Sequence, residues 1–99
     1  MPEYVISRTA ESDLRGIASY TTEKWGQDQA VRYISDLREC MALLAGKPSM
    51  GRAWNSLTPE LRRHEHGKHV VFYTIEPDGI LIVRILHQQM IATRNRLKP

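Results

Sequence analysis

His69-Val70-Val71-Phe72-Tyr73-Thr74-Ile75 and Ile80-Leu81-Ile82-Val83-Arg84-Ile85-Leu86-His87 flank the turn Glu76-Pro77-Asp78-Gly79. Two runs of β-branched and aromatic residues around a Pro-Asp-Gly turn predict a β-hairpin. Both runs are apolar at nearly every position rather than at alternate ones. A strand with water on one face alternates; a strand covered on both faces need not. The hairpin therefore wants two covers, and the rest of the chain must be read for them.

Working outward, Tyr4-Val5-Ile6 predicts a short first strand. Ser7 follows as a helix cap, a hydroxyl that accepts from otherwise unpaired N–H groups. Ala10, Leu14, Ile17, Ala18, Thr21 and Trp25 keep helical spacing. Glu11 and Asp13 sit in the early turns, where they complement the positive end of the helix dipole. Gly26 is the predicted stop. Asp28 lies near the start of a second helix, with Ala30, Ile34, Leu37, Met41 and Leu44 on one stripe and Tyr33 and Cys40 widening it. Gly46 and Pro48 end it. The short connection at Gly26 predicts an antiparallel helical hairpin. Residues 47–60 read as loop. A strand starts near Leu61 and runs through Arg62, Arg63 and His64, and Gly67-Lys68 turns it into the hairpin. Ala92 to Leu97 is a candidate short helix.

The predicted architecture is strand, helix, helix, then three strands: an α+β fold with an antiparallel sheet packed on one face by an N-terminal helical hairpin. On the last strand, simple alternation puts Ile80, Ile82, Arg84 and Leu86 on one side and Leu81, Val83, Ile85 and His87 on the other. Two helices cover one side only. The second side is left to an outside partner, to the C-terminal tail folding back, or to a second copy of the chain.

Ninety-nine residues, 41% hydrophobic and 25% charged, predict one globular domain over 1–99 that buries roughly two-thirds of its unfolded surface. No apolar run approaches the roughly 18 residues of a membrane span, and the N-terminus shows no signal-peptide pattern. The single cysteine, Cys40, has no internal disulfide partner, which suits a reducing cytoplasm. The net charge of +3 is uneven: residues 1–60 carry seven basic against eight acidic residues, residues 61–99 seven against three. The basic surplus of the hairpin half suits nucleic acid, an acidic protein segment, or merely solvated surface.

Several residues invite chemistry. His64, His66 and His69 suggest a metal site, but the predicted turn separates 69 from the others, and no cysteine pair or acidic cluster completes a ligand set. No metal or cofactor is expected. Cys40 lies on the apolar stripe and reads as a buried, inert thiol. Trp25 reads as packing at the helix–helix corner. No phosphate-binding glycine loop is present.

Read together, a series of residues resembles the ParE toxins of the ParE/RelE superfamily from bacterial toxin–antitoxin modules. The series is Ala10 with Asp13-Leu14 and Ile17; Tyr20; Trp25-Gly26 with Gln29-Ala30 and Tyr33; Leu37; Pro48 with Gly51-Arg52; Leu61-Arg62; Gly67 with His69-Val70-Val71-Phe72-Tyr73; and Arg84-Ile85-Leu86-His87 with Met90. No single piece is diagnostic; order and spacing together are. One departure is Ile91, where the family often has aspartate. The resemblance implies a helical hairpin on an antiparallel sheet. It also implies a ParD antitoxin whose C-terminal segment covers apolar grooves. The ParE branch is implicated in poisoning DNA gyrase, whereas the RelE branch cleaves mRNA in the ribosome.

A nuclease must deprotonate a 2′-hydroxyl, stabilise a crowded phosphate and protonate a leaving oxygen. Arg62, Arg63 and Arg84 are the cations on hand, and His87 is the candidate acid or base. The resemblance implies that ribonucleases of this superfamily often carry a tyrosine or further basic groups near the C-terminus, whereas after His87 this chain has no tyrosine, only Arg94, Arg96 and Lys98 as charges. The expectation is therefore a protein-binding toxin rather than an enzyme. Its antitoxin or target contacts are expected at Arg62, Arg63, Arg84, His87, Ile80, Ile82 and Leu86, with no specific nucleic-acid binding. Arg84 and His87 are the pair that a RelE-like ribonuclease would use.

Overall fold

The computed structural model describes residues 3–54 and 60–91. The chain runs β1 (Glu3–Ile6), α1 (Arg8–Trp25), α2 (Gln27–Gly46), a 3₁₀ turn (Pro48–Met50), β2 (Arg52–Ala53), β3 (Leu61–His66), β4 (His69–Glu76) and β5 (Gly79–His87), and residues 88–91 begin a helical turn. The α+β class and the helical hairpin match the sequence reading. The candidate helix at Ala92–Leu97 and part of the 47–60 segment lie outside the described residues.

Local chemistry explains the helix ends. Ser7 Oγ accepts from the Ala10 N–H at 3.0 Å and donates to the Val83 carbonyl at 2.9 Å, so one hydroxyl caps α1 and ties it to β5. Gly26 takes φ 94°, which an L side chain resists, and closes α1 by donating its N–H to the Thr22 carbonyl. One residue therefore separates the helices.

The sheet order is β1-β5-β4-β3-β2. β2 is an element that the sequence reading had placed in a loop; it pairs antiparallel with β3 through Arg52↔Arg63 and Ala53↔Arg62. β1 lies parallel to β5, so the sheet is mixed rather than wholly antiparallel. A tight turn forces antiparallel pairing, but β1 and β5 are far apart in sequence and the helical crossover leaves them free to run the same way.

The helices bury Leu14, Ile17, Leu37, Met41 and Leu44 against Val71, Tyr73, Ile80, Ile82 and Ile85. Each such side chain contributes about 1.5–3 kcal/mol of transfer free energy. Ile80 and Ile82 are thus 2% and 0% exposed, a correction to their expected role as antitoxin or target contacts, since the helices already cover them.

The alternation fails at a β-bulge. Phe72 pairs with Arg84 but Tyr73 pairs with Ile82, so Val83 has no opposite number. The phase of β5 changes there: Ile80 and Ile82 face the helices before it, Ile85 after it. Leu86 belongs to the far face, against Val70, Phe72 and Ile91, with Trp54 and Leu61 beside them. The expected common face of Ile80, Ile82, Arg84 and Leu86 is therefore split. The second cover comes partly from this chain: Ile91, only 7% exposed, returns over Val70 and Phe72.

Candidate functional site

Beyond Ile6, no strand among the described residues pairs with the outer edge of β5, and Ser7 and α1 supply partners there. The Ser7 N–H donates to the Ile82 carbonyl at 3.0 Å and Ser7 Oγ to that of Val83. Asp13 does the rest. Its Oδ2 accepts from the Ile85 N–H at 2.9 Å and from Arg84 Nε at 2.8 Å, and its Oδ1 accepts from Arg84 Nη2 at 3.0 Å. This two-pronged pairing is the strong form of a guanidinium–carboxylate contact. It holds the Arg84 guanidinium above its ordinary pKa, against the opposing effect of burial.

The other two arginines are also engaged. Arg62 Nη2 donates to the Gly51 carbonyl in a short contact. Beside it the buried Tyr73 hydroxyl donates to the Pro48 carbonyl at 2.6 Å and accepts from the Gly51 N–H at 2.9 Å, so the 48–51 turn is pinned to the sheet. Arg63 pairs with Glu65 at 3.0 Å and lies 5.2 Å over the Trp54 ring. Arg52 meets the same carboxylate at 2.6 Å. Burial pushes the Glu65 carboxyl up, but its own backbone N–H and the two guanidiniums outweigh that and hold it below the usual range.

His87 sits elsewhere, in a constellation that the sequence did not disclose. The two-residue turn Gly67-Lys68 pairs His66 with His69, and the β4–β5 register sets His69 beside His87. Tyr33 of α2 leans over this row: its hydroxyl is 2.6 Å from His69 Nδ1, and its ring is 5.5 Å from that of His69. The His69 and His87 rings meet edge to face at 5.2 Å. Burial, then the neighbouring His87 and His66, lower the His69 pKa to about 4, so it is neutral at physiological pH. Burial raises the Tyr33 phenol, partly offset by the Lys68 backbone N–H, so Tyr33 keeps its proton. The same hydroxyl donates to the His66 carbonyl at 3.4 Å, and the direction of its contact with His69 Nδ1 follows the His69 tautomer. His87 Nδ1 accepts from the Gln89 N–H at 3.1 Å, which puts its own proton on Nε2.

These groups line a cleft of about 420 Å³ at the Gly26 end of the helical hairpin, bordered by Tyr20, Lys24, Trp25 and Lys68. Trp25 is 68% exposed and Tyr20 57% exposed, so Trp25 does not pack away at the helix corner as its sequence position suggested. The available signal was the Gly67-Lys68 turn: a two-residue hairpin places 66 opposite 69. Which helical residue would meet them required the fold. Among the described residues no group of three side chains is arranged to hold a metal ion.

Arg84 and His87 are therefore held by different neighbours, the first by α1 and the second by the imidazole row. Cys40 is buried, and burial raises its thiol pKa, which keeps it protonated and unreactive.

Comparison with known proteins agrees with this architecture. The model of the ParE toxin of type II toxin–antitoxin systems, parDE, matches residues 4–92. Toxin ParE1 of Mycobacterium tuberculosis is 36% identical over 93 residues, covering 93% of this chain and 95% of that protein. Toxin ParE of Escherichia coli is 38% identical over 102 residues and 99% of each chain. Among solved structures, a chain of the chromosomal ParDE system of P. aeruginosa superposes with a TM-score of 0.73 at 22% identity, covering 88% of this chain and 96% of that one. A chain of the RelBE2 toxin–antitoxin complex of M. tuberculosis superposes at 0.65 with 18% identity, covering 88% and 99%. With its family pattern matched over nearly all its length and its fold shared with toxins of such complexes, this chain belongs to the ParE toxin family of type II toxin–antitoxin systems.

Proposed function

We propose that this toxin arrests growth by binding and inhibiting DNA gyrase in the cytoplasm, and that a ParD-like antitoxin neutralises it. Family membership supports the toxin role, and the solved ParDE and RelBE complexes support a protein antitoxin. One observation favours protein binding over RNA cleavage. The arginines that a nuclease would aim at a phosphate are committed inside the fold, Arg84 to Asp13 and Arg62 to the Gly51 carbonyl. A phosphate would have to compete with two charge-assisted bonds already made to Asp13.

The test is direct. Purified toxin should inhibit gyrase supercoiling or trap cleaved DNA, and co-expression with a ParD-like antitoxin should restore growth. Intact gyrase activity, together with codon-associated mRNA cuts that vanish in His87→Ala, would replace this reading with the ribonuclease one.

A further inference from the structure

The cleft between Trp25 and His87 has a donor inventory that selects its occupant. Several of its polar groups are already used: Tyr33 on His69, Thr21 Oγ1 on the Ile17 carbonyl, and His87 Nδ1 on Gln89. Lys24 and Lys68 remain, exposed and without a carboxylate within 4.0 Å among the described residues. The Nε2–H of His87 joins them. Among the described residues no Asp or Glu lines the cleft. Apart from the Gln29 amide, the Tyr20 hydroxyl and the His69 ring, which can also accept, the uncommitted side-chain groups are donors, two of them cationic. They ask for an anionic acceptor.

The walls ask for something apolar. Trp25 and Tyr20 expose more than half of their surface on adjoining turns of α1. Trp and Tyr are the residues that most often dominate protein–protein binding energy, because they bury large area for little side-chain entropy. Cationic rim plus aromatic wall match a peptide segment with one apolar side chain flanked by carboxylates.

We propose that this cleft receives such an acidic, apolar-anchored segment of the antitoxin. The apolar side chain packs against Trp25 and Tyr20, and carboxylates reach Lys24, Lys68 and the His87 Nε2–H. The inference rests on the antitoxin reading above and adds to it a location and a chemistry. The groove on the outside of the helical hairpin, lined by Ala18, Ala30, Val31 and Ile34 with Arg38 at its rim, lacks such a paired set of cations and rings and serves as a control.

The experiment uses the whole toxin and its ParD-like antitoxin. Antitoxin affinity is measured for wild type, Trp25→Ala, the double charge reversal Lys24→Glu/Lys68→Glu, and the control Arg38→Glu. Circular dichroism confirms the fold of each; the substituted side chains are exposed. Trp25→Ala and the double reversal should each weaken binding about tenfold or more. The reversal should also reduce the salt dependence of association, while Arg38→Glu stays within about twofold of wild type. A carbodiimide, which joins amines to carboxylates only in contact, should link Lys24 or Lys68 to antitoxin Asp or Glu. Wild-type affinity in the folded cleft variants, with no such cross-link, would overturn the site while leaving the antitoxin reading intact. So would a loss seen with a single-stranded oligonucleotide and not with the antitoxin. No binding by wild type at all would overturn both.

Discussion

Asp13 accepts three hydrogen bonds from two consecutive residues of a strand 71 positions away in sequence. Its side chain is 14% exposed and that of Arg84 37%, so the pair is partly shielded from water. Losing the carboxylate leaves a guanidinium without its counter-charge and the Ile85 N–H without its acceptor. Asp13→Ala should therefore cost about 2–3 kcal/mol of stability in urea denaturation. Arg84→Ala should cost less, because the carboxylate keeps the Ile85 N–H. The double variant should fall short of the sum by about 1 kcal/mol, since the two share one interaction. If the two losses simply add, the pair is incidental to the fold. A loss of toxicity in Arg84→Ala at unchanged stability would instead assign Arg84 to the target surface.

At the scale of elements, Tyr33 and His69 clasp α2 to β4, and this clasp has a pH dependence of definite sign. The unfolded chain protonates His69 near its ordinary 6.5, the folded chain only near 4. Between those values the unfolded state binds more protons, so the contribution is complete above about pH 6.5 and is lost as pH falls toward 4. The groups facing His69 are Tyr33, His66 and His87; none is a carboxylate that would hold the imidazolium. The Glu65 carboxyl, held below its ordinary 4.5, adds its own loss at lower pH. Thermal melts should therefore show a lower Tm at pH 4.5 than at pH 7, and His69→Gln should flatten that difference. An NMR titration placing His69 near 6.5 would contradict the clasp. The helix ends were legible because capping is local: a hydroxyl at Ser7 and a glycine at Gly26 act within four residues. The clasp was not, since Tyr33 and His69 meet only after two helices have folded across the sheet. The bulge at Val83 was hidden for a related reason. Strict alternation is the only phase that a continuous apolar run can suggest, and it misplaced Leu86.

The described part of the molecule is a slab of 42 × 38 × 21 Å, two layers deep, with the helices on one side of the sheet. A two-layer slab leaves the far side of the sheet open, and the all-apolar hairpin announced that difficulty in the sequence. Its solution was not announced, because the tail around Ile91 has no periodicity to read. Ile91 lies against Val70 and Phe72, the two fully apolar β4 residues that face away from the helices. A carboxylate there would have to leave the cluster or be buried unpaired. Ile91→Asp should therefore cost about 2–3 kcal/mol through lost burial and opening of this small cluster. The helix-side core, built from Leu14, Leu37, Met41 and Tyr73, should stay closed. The far-UV spectrum should be retained while a hydrophobic dye binds more strongly and light scattering reports self-association. A variant as stable and monodisperse as wild type would show that the far face does not depend on Ile91. Ile91→Leu, which keeps the apolar volume, should leave all three readouts unchanged and so separate loss of the lid from loss of the residue.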